Sequence, residues 1–197
     1  MRHARLFAVT VIVFGLLAGC ATRQYTPTRY FLIQPDVAAE APPSADTTLG
    51  YRPIEAAAPY NKKAMAYRAD THELRYRQDQ EWSELPAQTV TRTLADALRA
   101  TGRFGDVGNA ADMPPPDFML SGTLREFAED RTTTPATCRL ILRLELRGGR
   151  GGEVVWSEVL NAEVPLASTQ AGALAQAMSK ATADIAQRAA KAIAQAM

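Results

Sequence analysis

The feature that most constrains the fold of this chain is the strictly alternating stretch CRLILRLELR at residues 138–147. The even-numbered positions are apolar: Leu140, Leu142, Leu144 and Leu146. The odd-numbered positions are largely charged: Arg139, Arg143, Glu145 and Arg147. Because successive side chains of a β-strand point to opposite faces, this pattern predicts a half-exposed strand of an antiparallel sheet. Cys138 shares the leucine parity, so we expect a small buried hydrophobe there and not a nucleophile.

Two further long strands are predicted beside it, at 117–130 and 153–166, connected through the turns TTTPAT and GGRGG. Alternation in the last strand would bury apolar residues but would also point Glu158 inward, so a bulge or an opening of the buried face is expected there. Shorter strands are predicted at 28–35 and in YRPIEA, KAMAYRA, HELRYRQ and RFGDVG, with a hairpin turn at Asp70-Thr71. Residues 36–48 are rich in Ala, Pro and Ser, which indicates a flexible loop.

Two segments have helical periodicity, 86–101 and 169–196. Pro86 suits a first turn and Gly102 the position after a helix end, and Ser168 or Thr169 is expected to cap the second helix. That helix would be about 42 Å long against ~20 Å for a typical strand, so we expect it to overhang the sheet as a contact surface or a solvated end. The pattern predicts a two-layer α+β fold, a single domain at 28–197 with a largely antiparallel sheet and both helices on one face.

The first residues have the composition of a secretory signal, with Arg2 and Arg5 before an apolar run that is too short to span a membrane. The run ends in Leu17-Ala18-Gly19-Cys20, which resembles a bacterial lipobox. We therefore predict a lipoprotein-type signal peptide at 1–19 and a lipidated tether at 20–27. Cys20 would carry covalent N-acyl and S-diacylglycerol groups, an anchor stronger than one acyl chain alone. An ordinary cleavable signal with an incidental cysteine is the alternative.

The residue after the cysteine indicates which of the two bacterial membranes holds the lipid anchor. In the lipoproteins that the lipobox resembles, an aspartate there tends to retain the protein in the inner membrane. Here the residue is Ala21. We therefore expect a lipid anchor in the outer membrane with the domain facing the periplasm, and the inner membrane is the less favoured address.

The remaining residues indicate no catalytic chemistry. Lys and Arg number 22 and Asp and Glu 21, a balance that argues against nucleic-acid binding. His3 would leave with the signal and His72 has no neighbouring partner, so we expect no metal site, and RGGRGG lacks the Lys-Ser/Thr of a P-loop. We predict no enzyme, no catalytic residue and no cofactor besides the lipid on Cys20. The carboxylates near the end of strand 117–130, Glu126, Glu129 and Asp130, are expected to be solvated.

Three arginines, Arg139, Arg143 and Arg147, share the charged parity of the central strand. Such a row would suit anionic headgroups or an acidic partner. It would also keep an open sheet face soluble and discourage edge pairing, which is the interpretation we favour.

With these elements in order, the chain resembles the ABC-type transport auxiliary lipoproteins, the PqiC-like family. The resemblance rests on the lipobox at Cys20, the early TRYFLIQP, the closing alanine-rich helix, and residues 74–107. In that family a tyrosine-containing strand leads to a tryptophan just before a proline-started helix, and Tyr76, Trp82 and Pro86 match those positions. The spacer before Trp82, QDQE, is unusually polar.

The resemblance implies a non-enzymatic subunit of a lipid transport system with a cytoplasmic ATPase, an inner-membrane permease and a periplasm-spanning MCE-domain protein. This subunit would dock or guide the MCE component at the outer membrane, with a phospholipid-type cargo and no nucleic-acid partner; a homo-oligomer is left open. We expect Trp82 and Tyr76 to contact the partner, and packing of Trp82 against the helix start is the alternative. Two other roles stay open: an assembly lipoprotein supporting an outer-membrane β-barrel, and a stand-alone periplasmic lipid carrier.

Overall fold

A computed structural model describes residues 26–38 and 41–197, except for the side chain of Arg150. The predicted signal at 1–19, and Cys20 within the predicted tether, lie outside the described residues. The strands are β1 Arg29–Phe31, β2 Thr48–Tyr51, β3 Glu55–Ala56, β4 Ala64–Asp70, β5 Glu73–Trp82, β6 Asp106–Asn109, β7 Phe118–Asp130, β8 Thr137–Gly148 and β9 Val154–Pro165. The helices are α1 Pro86–Ala100 and α2 Ala171–Ala196, with short 3-10 turns at Ala58–Tyr60 and Gly149–Gly151.

Strand β7 is the centre of a branched sheet. Along one side it pairs with β8, and β8 pairs with β9, both antiparallel and over almost their full lengths. The other side of β7 is shared by three shorter parallel neighbours, β2, then β3, then β4. Beyond these, β5 is antiparallel to β4, β1 is parallel to β5, and β6 is parallel to β2. The three long strands and the hairpin at Asp70 are therefore antiparallel as predicted, and the short strands add parallel pairing.

The apolar face of this sheet and the two helices enclose the core. The four leucines of β8 are fully buried together with Cys138, which confirms the alternation in residues 138–147. Helix α1 packs against α2, and α2 packs against β8 and β9. The α+β fold class is confirmed.

In strand β7, one extra residue exchanges the side chains that face the core with those that face away from it. Leu124 lies opposite Leu142, but Glu126 lies opposite Ile141, so Arg125 is an extra residue in β7. A one-residue insertion moves every following side chain to the other face. Phe127 therefore reaches the core, and Glu129 follows it to the same side.

Strand β9 is covered over only half its length. Leu160 and Ala162 are buried, whereas Glu158 is exposed and Val154 is 45% exposed. The pairing register also shifts between Leu146 and Arg147. Of the two expected solutions, the opening of the buried face occurs. The bulge lies at Val155 and leaves Glu158 on the same side of the sheet as Leu160.

The helix boundaries follow the sequence signals, with one correction. Pro86 is in the first turn of α1, and Gly102 takes the left-handed conformation after its end, at φ 62°. The cap residue of α2 is Gln170, and no side-chain hydrogen bond caps this helix. The prediction that Ser168 or Thr169 would cap it is therefore wrong, because the helix begins two residues later than predicted.

Helix α2 does not overhang the sheet. Its buried stripe continues from Ala171 to Ile193, so the helix packs on the domain over nearly its whole length and only its last turn lies beyond the stripe. The expectation failed because β8 and β9 are 12 residues long. At about 3.4 Å per residue such strands extend roughly 40 Å, which matches the helix.

The described part of residues 36–48 has little regular structure before β2, as predicted, but it is held by contacts. The chain reaches this segment after Gln34, whose backbone N–H donates to Ser179 Oγ of α2 at 2.9 Å. Further on, Ser44 donates from both N and Oγ to the carbonyl of Gly102, each at 2.7 Å. The described part of this segment therefore connects the helical layer to β2.

Candidate functional site

Trp82 belongs to the core. It is the last residue of β5, its side chain is 2% exposed, and its ring meets Phe127 edge-on at 5.5 Å between centroids. The predicted partner contact therefore lacks the exposed side chain it needs. Trp82 packs instead on Phe127 of β7, and its packing against the helix start, the alternative, stays a prediction. A large aromatic ring that fills a core site contributes to stability and is not presented to a partner.

Tyr76 lies on the opposite face of the sheet and is half-buried. Its hydroxyl donates to the carbonyl of Pro59 at 3.0 Å, and Lys62 Nζ lies 4.5 Å from the ring centroid. Tyr76 thus holds the loop between β3 and β4 against β5 while part of the ring stays accessible. Its role as a partner contact stays a prediction.

The polar spacer between Tyr76 and Trp82 forms a bulge. Ala64 pairs with Glu81 and Ala66 pairs with Tyr76, so β5 contains several more residues than β4 across this interval. Asp79 within the bulge has φ 52°, a left-handed conformation that aspartate tolerates better than most residues. The hydrophilic composition fits the exposure of Gln78 and Asp79, whereas Gln80 and Glu81 are half-buried and pair with β1.

The edge formed by β1 carries two exposed apolar side chains. Tyr30 is 62% exposed and Leu32 is 60% exposed, whereas the intervening Phe31 packs against the core. Strand β1 pairs only with β5, so its other side is an open sheet edge among the described residues. We call Tyr30 and Leu32 the β1 edge. Alternation in TRYFLIQP was the available signal, because Tyr30 and Leu32 share the parity opposite to Phe31 and Ile33.

One carboxylate predicted to be solvated is the centre of a buried ionic cluster. The side chain of Glu129 is fully buried and accepts hydrogen bonds from Arg77 and from Arg131, the latter at 2.9 and 3.0 Å. Arg77 also donates to the carbonyl of Thr169 at 2.7 Å, just before α2. Because the bulge at Arg125 turns Glu129 toward the core, a charge at this position requires buried partners.

The other two carboxylates are also buried, on the opposite, open face of the sheet. Glu126 pairs with Arg68 at 3.0 Å, and Arg139 lies 3.8 Å from Glu126 and 3.4 Å from Asp130. Burial alone would raise the pKa of Asp130, but hydrogen bonds from Thr132 and Arg139 outweigh it and hold that pKa below its usual value. The prediction that these carboxylates are solvated is wrong at all three positions.

The predicted arginine row is therefore divided. Arg139 is surrounded by carboxylates, including Glu163 at 3.3 Å. Arg143 and Arg147 lie at the other end of β8 beside Glu145, 3.8 and 2.7 Å away respectively. The row is not a uniform cationic strip: one end is neutralised, and the other has more arginines than carboxylates.

The described residues contain no group of three or more His, Cys, Asp and Glu side chains placed to hold a metal ion. The Cys138 thiol is free, and burial raises its pKa to about 11, so little nucleophilic thiolate forms near neutral pH. Within the same residues, no helix has the length and apolarity needed to cross a membrane.

The fold is shared with proteins of known structure. A crystal structure of a Xanthomonas campestris protein superimposes with a TM-score of 0.77 at 18% sequence identity, covering 86% of this chain and 96% of that one. A second protein, described only as uncharacterized, superimposes with a TM-score of 0.69 at 11% identity, covering 85% and 99%. At these identities the likeness establishes the fold alone. No curated protein matches the sequence.

The class is thus a two-layer α+β domain with a branched sheet. The family model for the ABC-type transport auxiliary lipoprotein component matches residues 30–190, and the chain belongs to this family. The match includes every described strand and helix except the first residue of β1 and the last turns of α2. The protein is therefore an auxiliary lipoprotein component of a transport system.

Proposed function

We propose that this protein is a non-enzymatic subunit of an ABC/MCE-type lipid transport system, anchored in the outer membrane, where it docks or guides the periplasm-spanning MCE component. The observation that carries this proposal is the family match over residues 30–190. The transporter's permease and ATPase would be the further partners, and a phospholipid the cargo. The domain, residues 28–197, would act by binding other proteins.

Two exposed features are the candidates for contact with the MCE protein. The β1 edge presents an aromatic and an aliphatic side chain next to the predicted tether, and Tyr76 presents part of its ring on the open face. Exposed aromatic residues contribute strongly to protein–protein affinity when a partner buries them. Trp82 is not among the candidates because the core already buries it.

In-cell photo-cross-linking tests the proposal. A photoreactive phenylalanine analogue placed at Tyr30 or Tyr76 should yield a covalent product with an MCE-domain protein, identified by mass spectrometry. Glu158, exposed on β9 at the opposite edge of the sheet from β1, is the matched control position and should give little of that product. Capture of an outer-membrane β-barrel instead, from the same positions, would favour the assembly role and contradict the MCE role.

The lipid tether can be tested by counting reactive thiols. Cys20 and Cys138 are the two cysteines of the chain, and Cys138 is fully buried. If Cys20 carries a diacylglyceryl thioether, the native mature protein should show no thiol reactive toward a disulfide reagent at pH 8, and the unfolded protein one. One thiol in the native protein and two after unfolding would refute the anchor. Cys20→Ala should in turn release the protein from the membrane fraction or block its processing.

The lipid-carrier role has one structural observation in its favour. An open groove of about 440 Å³ runs beside α1, lined mainly by apolar groups, among them Tyr51, Ile54 and Ala95. Phospholipid that co-purifies in a fixed ratio, and is lost in Ala95→Glu, would support a carrier. A lipid-free protein that still cross-links to the MCE protein would support docking alone.

A further inference from the structure

The open face of the sheet has a shallow depression where the pairing of β7 branches. Along its edge, β7 pairs with β2 as far as Leu120 and with β3 from Thr123 onward. Arg52 and Pro53 connect β2 to β3 at the gap between these two pairings. The depression is about 370 Å³ and open to solvent. We call it the open-face depression; the residues that matter for its chemistry are Arg52, Glu55, Thr123, Arg125, Arg143 and Glu145.

These side chains come together because of register and the bulge. Glu55, Thr123 and Arg143 are direct cross-strand neighbours on β3, β7 and β8. Arg125 is the extra residue of the β7 bulge, which places its exposed side chain at the same rim. Three guanidinium groups from three separate parts of the chain thus border one depression.

The ionic contacts leave positive charge uncompensated. Among the described residues, Arg52 and Arg125 form no ion pair with a carboxylate. Arg143 reaches only Glu145, at 3.8 Å, and Glu145 is bound more closely by Arg147, at 2.7 Å. At the opposite end of the same face, carboxylates outnumber arginines, because Arg68 and Arg139 face three carboxylates there.

We propose that the open-face depression binds a phosphate-type anion, carried by a phospholipid headgroup or by a soluble phosphate ester. Guanidinium groups present several donors in one plane and match phosphate oxygens through paired, charge-assisted hydrogen bonds. The Thr123 hydroxyl, exposed between Glu55 and Arg143, adds a neutral donor. This inference does not depend on the proposed transport role, because it rests on charges and contacts within the domain.

The test uses the full-length protein in non-ionic detergent, followed by amide NMR during titration. One arm adds sn-glycerol 3-phosphate, and the other adds phosphatidylglycerol to the micelles at constant detergent concentration. We expect saturable shifts of the Gly122 and Thr123 amides in at least one arm, and the arm that saturates at lower ligand identifies the source. Absence of saturable shifts in both arms would overturn the proposal.

Matched charge variants separate a local site from general attraction. Arg125→Gln and Arg52→Gln should each weaken binding by about tenfold, and Glu55→Gln should strengthen it, because these side chains border the depression. Arg188→Gln removes the same charge from the exposed face of α2, where Arg188 pairs with Asp184 at 2.9 Å, and should leave binding unchanged. Equal weakening in Arg188→Gln and Arg125→Gln would show diffuse electrostatics and contradict a site.

Discussion

At the residue scale, Gly122 of β7 is tightly enclosed by its neighbours. A Cβ atom at Gly122 would lie 2.6 Å from the Arg143 carbonyl oxygen, 2.6 Å from Leu144 Cδ2 and 2.8 Å from Ile54 Cδ1. The carbonyl belongs to the β7–β8 ladder and cannot move without disturbing the pairing of these two long strands. Gly122 is therefore required by packing, since its backbone conformation is ordinary for a strand.

Gly122→Ala should destabilise the protein by about 1–3 kcal/mol, because the added methyl group overpacks a rigid site. Urea unfolding followed by circular dichroism measures the change. Gly172→Ala is the matched control: nothing lies within 4 Å of its Cβ position in α2, so alanine should be neutral or stabilising by up to about 1 kcal/mol. Equal effects of the two substitutions would contradict the packing at Gly122.

Leu142→Ala tests the face assignment of β8. Leu142 is fully buried between Leu124 and Leu160 on the neighbouring strands. Its truncation should lower the free energy of unfolding by about 2–5 kcal/mol through lost burial and a residual cavity. Arg143→Ala, one residue along on the exposed face, should change it by less than about 0.5 kcal/mol. A loss below that value for Leu142→Ala would mean that the strand faces are reversed.

At the scale of elements, the buried cluster around Glu129 joins three parts of the fold. Glu129 is on β7, Arg77 is on β5, and Arg77 also holds the carbonyl of Thr169 at the entry to α2. A helix that lacks a side-chain cap gains a fixed position from such contacts. The cluster therefore positions α2 relative to the sheet where no capping residue does so.

Glu129→Ala should destabilise the protein by about 3–5 kcal/mol, because it leaves Arg77 buried without its carboxylate. Glu73→Ala removes a carboxylate from the exposed pair Glu73–Arg75, with N···O 2.7 Å, and should cost less than about 1 kcal/mol. Urea unfolding of both variants gives the comparison. Similar small losses in the two variants would show that the Glu129 cluster contributes little to stability.

At the scale of the whole molecule, acid should weaken the fold. Three carboxyl groups have pKa values held below their usual values: Glu84 chiefly through the Arg92 hydrogen bond, Asp117 through the backbone N–H of Thr48, and Asp130 through Thr132 and Arg139 despite its burial. A depressed folded-state pKa stabilises the fold above the unfolded-state value, and that stability is lost as pH falls through the folded-state value.

We therefore expect the free energy of unfolding to be level near neutral pH and to fall as pH drops below about 4, where these carboxyl groups protonate in the unfolded chain. Urea unfolding at pH 7, 5, 4 and 3 at constant ionic strength measures the profile. Asp130→Asn should make the free energy of unfolding fall less between pH 7 and pH 3. Stability that stays constant or rises toward pH 3 would contradict the depressed pKa values.

The face of a strand residue follows from the sequence where no bulge interrupts the strand. The alternation of β8 predicted its buried leucines correctly, because a regular strand between two regular neighbours keeps one parity throughout. The expectations for Glu129 and Trp82 rested instead on position, near a strand end and after a polar spacer. Both residues are buried because each follows a bulge that turns it to the core face. The exposure of Tyr30 and Leu32 was not predicted, although the alternation in TRYFLIQP indicated it.

Local periodicity by itself determined the α+β class, the two helices, the long strands and the buried position of Cys138, because these depend on residues close together in the chain. Only the tertiary structure decided which side chains face each other: the burial of Trp82, the ionic cluster at Glu129, and the arginines around the open-face depression. The physical reason is that strand register and single-residue bulges are set by pairing between distant segments. One inserted residue therefore exchanges the core and solvent faces without changing any local propensity.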